Sequence, residues 1–145
     1  MRQRSPAFDR VAQQLVEQAV AGRSEADQVS RALDESFERL ERALATMVGE
    51  LGFRALFVRA VHLTRKAEPE LPPSVAVSAD GSRLGWSECV ERLGTEAATR
   101  CGALLCANVL VLLASFIGDD LTFRMIRRAF HDFEDAGYAG DQGHE

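Results

Sequence analysis

A chain of 145 residues with 46% hydrophobic and 27% charged side chains can bury one substantial core and is too apolar to be disordered throughout. Its formal charge of -5 is unevenly spread: residues 1–66 carry 11 basic and 9 acidic side chains, and residues 67–145 carry 6 and 13. Phosphate binding needs a basic face, so this balance excludes nucleic acid as the main partner.

Ser5 followed by Pro6 reads as an N-cap and first position of a helix. Phe8, Val11, Ala12, Leu15, Val16 and Ala19 continue it at helical spacing until Gly22. Ser24 and Asp27 then resemble a capping box, with Asp in place of the usual Glu or Gln. Leu33, Phe37, Leu40, Leu44, Met47 and Leu51 follow at spacings of 4, 3, 4, 3 and 4, a heptad seam that predicts a long packed helix. Gly49 and Gly52 predict a kink or short break at its end. A third helix over residues 52–67 places Phe53, Leu56, Phe57, Ala60, Leu63 and Thr64 on one face, and Pro69, Pro72 and Pro73 stop it.

Residues 68–86 read as a wandering loop, although Val75, Val77 and the Asp80-Gly81 turn would also suit a short strand pair. Ser87 is the expected cap of the next helix, whose seam is Trp86, Val90, Leu93, Ala97, Cys101, Leu104 and Asn108. That helix enters GALLCANVLVLLASFIG, residues 102–118, which carries no charge. A membrane span needs about 20 apolar residues. This stretch is shorter, holds Asn108 and Ser115, and lies between Arg100 and Asp119. Amphipathic helices on either side need something to cover, so it reads as the core of a bundle, with Asn108 buried and hydrogen-bonded to another helix. Asp119 and Asp120 open a final helix, and EDAGYAGDQGHE ends the chain as an acidic, glycine-rich tail. The expected fold is therefore all-α, with about five helices packed in one domain (residues 1–134) around a central apolar helix (residues 87–117), and a disordered tail at 135–145.

The sequence offers little catalytic or metal chemistry. His62, His131 and His144 belong to no HExxH arrangement, and there is no CxxC, no phosphate-binding glycine loop and no nucleophile elbow. Cys101 and Cys106 are five residues apart on one helix, about 140° around its axis, and read with Cys89 as buried apolar side chains. An odd number of cysteines, and an N-terminus (MRQRSPAFDRVAQQ) lacking the apolar run of a signal peptide, predict reduced thiols in a cytoplasm. No enzyme activity, cofactor or metal is expected.

Arg59, His62 and Lys66 share a face at i, i+3 and i+7, beside Arg54. They read either as a solvated, partner-binding stripe or as a source of buried ion pairs. In the second case at least one of Arg54 and Arg59 should reach Asp119 or Asp120 at the end of the apolar helix.

Two segments, LATMVGELGFRALFVRAVHLTR (44–65) and LLASFIGDDLTFRMIRR (112–128), resemble a loose group of small uncharacterised bacterial helical proteins. That group shares a GxxGFxALxxRAxxL helix and an FIGxxLTxRxxR helix start. The resemblance implies a bacterial, cytosolic, all-helical protein and carries over no catalytic residue. The functional expectation is a non-enzymatic interaction module, an adaptor or regulator in bacterial signalling or defence, with a protein partner and with a homo-oligomer left open. A membrane-active protein that exposes its central apolar helix is the alternative.

Overall fold

A computed structural model of the protein describes residues 6–75 and 85–130. Those residues form α1 (Pro6–Val20), α2 (Ala26–Ala67), α3 (Ser87–Leu93), α4 (Thr95–Ile117) and α5 (Asp119–Ala129), with no strand among them. The fold is an all-α bundle, and α4 is its centre, touching each of the other four helices. Six consecutive residues of α4, Leu105 to Leu110, are buried. Because 3.6 residues complete a turn, such a run is covered on every side. Gly102 permits the tightest convergence: a Cβ there would lie 3.1 Å from Leu33 Cδ2 and 3.8 Å from Val16 Cγ1. One missing side chain thus lets α1, α2 and α4 meet.

The long seam is real through four of its positions. Leu33, Phe37, Leu40 and Leu44 are all buried. At Gly49 the backbone adopts φ 81 and ψ 165, a conformation outside the helix that suits only glycine, and α2 continues beyond it as a second limb. Phe53, Leu56, Phe57, Ala60 and Thr64 of that limb are buried again. The predicted kink and third helix are therefore the two limbs of one bent element. Met47 and Leu51, expected in the seam, are 46% and 73% exposed. The change of axis at Gly49 takes both out of the core.

Three further details depart from expectation. The position before α2 is Glu25 rather than Ser24, and no side chain caps it. The N-terminus of α2 is exposed around residues 21–28, so water can serve its free N–H groups. The helix expected over 87–117 is divided at Gly94 (φ 92), giving short α3 and long α4. Trp86, not Ser87, precedes α3. Its backbone N–H donates to Asp34 Oδ1 at 2.9 Å and its ring stacks on Phe37 with centroids 5.5 Å apart. Anchoring the tryptophan decides where α3 begins. After α2, Arg65 donates to the carbonyls of Leu71 (3.3 Å) and Pro72 (3.0 Å), which holds the start of the following loop against the helix end. The possible strand pair at Val77 and Asp80-Gly81, and the tail at 135–145, lie outside the described residues.

Candidate functional site

The second limb of α2 and the end of α4 run antiparallel. Asn108 sits beside Thr64, and two turns later Leu112, Ser115 and Phe116 share a cleft with Val48, Gly52, Ala55, Leu56 and Arg59. The cleft encloses about 640 Å³. Its origin is local: Gly52, Ala55 and Ser115 have small side chains or none, so little fills the space between the two helices. Its flanks are apolar. Phe116 is 75% exposed and Leu51 73%, while Val58, on the same limb as Leu51, is 52% exposed. Leu51, Ala55 and Val58 follow at i, i+4 and i+7, so they form one outward stripe. The sequence reading placed both Leu51, in the heptad seam, and Phe116, in the charge-free stretch, in the core, and the structure exposes both. The available signal was the pair Gly49 and Gly52, with Phe116 only two residues before helix-ending Gly118.

Arg59, His62 and Lys66 are exposed, and Arg54 is half-buried. Asp119 and Asp120 are exposed at the start of α5. No ion pair joins either arginine to either aspartate. Chain direction explains this difference from expectation. Antiparallel packing sets the end of α4 beside residues 48–52, whereas Arg59 lies two turns further along α2. The stripe of Arg59, His62 and Lys66 therefore faces water, and of the three only Arg59 lines the cleft. Glu50, Asp119 and Asp120 are also exposed, and none of them lines the cleft.

Asn108 is buried between α4 and α2, as its seam position predicted. Its Nδ2 donates to Thr64 Oγ1 at 2.8 Å, and that hydroxyl donates in turn to the Ala60 carbonyl at 2.8 Å. This relay fixes the register of the two helices below the cleft. Two other clefts line the bundle, one around Arg23, Arg39 and Arg42 with Glu35 and Glu38, the other around Glu17, Thr95, Glu96 and Arg100. Both mix charges of opposite sign. No group of three or more His, Cys, Asp or Glu suited to a metal occurs among the described residues.

The three thiols are buried and free. Burial, helped by the charges of Cys101 and Glu88, pushes Cys89 from an ordinary 9.0 up to about 12. Burial alone takes Cys106 to about 12. Cys101 is also raised, by burial first and then by Glu68, with Arg100 opposing. The thiolate is the nucleophile and metal ligand, so these side chains act as apolar packing. Their shifts set a pH dependence. Above the ordinary thiol value of 9.0 the unfolded chain gives up protons that the folded chain keeps, so stability falls as pH rises from there towards 12. The urea midpoint should be lower at about pH 10 than at about pH 8, and Cys106→Ala should reduce the difference. Equal midpoints for the native chain would contradict the burial of the thiols.

No family model, no curated protein and no solved structure matches this chain.

Proposed function

We propose that this protein is a non-enzymatic interaction module, an adaptor or regulator that works by binding protein through the cleft between α2 and α4. One observation carries the reading. Leu51 and Phe116, about three-quarters exposed, flank a cleft whose walls are apolar apart from Arg59 and Ser115. Large apolar side chains gathered on one surface are uncommon in soluble monomers and mark places where another surface docks. Covering them would gain roughly 25 cal/mol per Å² of apolar surface. Beneath the cleft, the Asn108–Thr64 relay holds the two helices in register, so the binding surface is pre-organised. The resemblance of residues 44–65 and 112–128 to small bacterial helical proteins agrees with this reading, since the two similar segments are the ones that form the cleft. On this reading the protein is cytoplasmic and bacterial, and takes part in signalling or defence by association.

The test is site-specific photo-crosslinking in cells, with the reactive side chain placed at Leu51, at Phe116 and, as a control, at exposed Glu91 on α3. Protein adducts from the two cleft positions and none from the control are expected. Their absence from both cleft positions would overturn the reading. The alternative of membrane activity rests on α4, the one helix among the described residues that is long and apolar enough to cross a bilayer. In the native bundle that helix is mostly covered. Flotation with anionic and neutral liposomes separates the two: an interaction module stays with the soluble fraction, and a membrane-active protein rises with the lipid.

A further inference from the structure

We infer that the α2–α4 cleft also binds a small amphiphile, a carboxylic acid with a hydrocarbon body of medium length. While bound it excludes the docked protein, and that competition rests on the reading above. The space itself is of the right kind. Its volume of about 640 Å³ falls within the range of roughly 300–1,000 Å³ typical of small-molecule sites. Val48 and Leu56 on α2 and Leu112 and Phe116 on α4 give it apolar walls, and Gly52 and Ala55 leave the room between them. Hydrocarbon is favoured over water in such a space.

The polar groups of the cleft select one kind of head. Arg59 is its only charged lining residue. It lies about 10 Å beyond Gly52 along α2, as the last of the α2 residues that line the space. Because α4 runs antiparallel, Phe116 lies towards Val48, so the cleft has a cationic end and an apolar end. No hydrogen bond or ion pair joins the Arg59 guanidinium to another described residue. Ser115, the other polar side chain, already donates its hydroxyl proton to the Leu112 carbonyl at 2.6 Å, so it offers a ligand only an acceptor. A single free guanidinium at the end of an apolar trough matches one negative charge on a hydrocarbon body. A carboxylate carries that charge in the planar geometry that a guanidinium pairs with through two N–H groups. An amine head would meet repulsion there, and a phosphate monoester would bring more charge than one arginine neutralises.

The test is an NMR titration of the full isotope-labelled chain with octanoate and with 1-octanol, each kept below the concentration at which it aggregates. Octanoate should shift the amide signals of Gly52, Ala55 and Ser115 along one saturable curve. From hexanoate to octanoate to decanoate, affinity should rise by up to about fourfold for each CH₂ that enters the cleft. Arg59→Gln should weaken octanoate about three- to fivefold, the size of an exposed ion pair, and leave octanol unchanged. Arg128→Gln, exposed on α5 and outside the cleft, should change neither. Ala55→Phe sets a ring into the space from an exposed position and should abolish the saturable shift. Unchanged helical circular dichroism is the control for folding. Shifts that scatter over the surface without saturating, or octanoate binding that either Arg59→Gln or Ala55→Phe leaves unaltered, overturn the inference. The photo-crosslinking experiment keeps the two readings apart. Crosslinks from position 116 without octanoate binding remove the ligand and leave the interaction module, and saturable octanoate binding without crosslinks does the reverse. Where both occur, octanoate added to an extract should reduce the crosslinks, and crosslinks that persist at saturation overturn the competition.

Discussion

Replacing Trp86 by alanine is expected to cost about 3–5 kcal/mol, the range for deleting a large buried aromatic side chain. At this chain length that corresponds to a fall in Tm of roughly 6–20 °C. The side chain is 2% exposed and stacks on Phe37, and its outer edge passes above Gly102. It therefore contacts α2 and α4 at once, just before α3 begins. Removing it opens a cavity at the junction where α1, α2 and α4 converge. The surroundings cannot collapse into that space without moving α3, which the Trp86 backbone holds through Asp34. Trp86→Phe should lose less, because it keeps a ring against Phe37. Thermal melts followed by circular dichroism measure both variants. A Trp86→Ala protein melting within about 2 °C of the native chain would show that this ring does not join the helices as described.

A second large effect separates two leucines that the heptad spacing treats as equals. Leu44→Ala should lose about 2–5 kcal/mol, since Leu44 is fully buried where α2 packs on the bundle. Leu51→Ala, one heptad later, should change the stability of the dilute protein by no more than about 0.5 kcal/mol. The physical difference is the backbone at Gly49, which redirects α2 between the two positions. Gly49→Ala would force φ 81 on a residue with a side chain, and the limb beyond should either lose stability or swing to a new axis. Equal losses from Leu44→Ala and Leu51→Ala in urea titrations would mean that the seam runs straight and that no apolar stripe is exposed.

Much of the bundle could be read without coordinates, because burial of an apolar face leaves a periodic trace. Phe53, Leu56, Phe57 and Ala60 repeat at helical spacing, and all four are buried. Asn108 was legible for a related reason: a polar residue in an apolar seam must find a partner, and Thr64 supplies one. The all-helical class and the central place of the charge-free segment follow from the same patterning.

The exposed cleft belongs to a different level. Whether Leu51 and Phe116 face the core or water depends on the backbone at Gly49 and on how far the second limb of α2 stands from α4. Periodicity records which residues share a face of a helix, and carries no record of what that face meets. The same limit separated Arg54 and Arg59 from Asp119 and Asp120. The two aspartates follow the end of α4, and antiparallel packing sets that end beside Val48 and Gly52, about two turns of α2 before Arg59. Helix identity was set by local patterning along the chain. The direction and angle at which helices meet, and therefore the exposed cleft, came from long-range packing, where contacts between residues far apart in sequence outweigh any local preference.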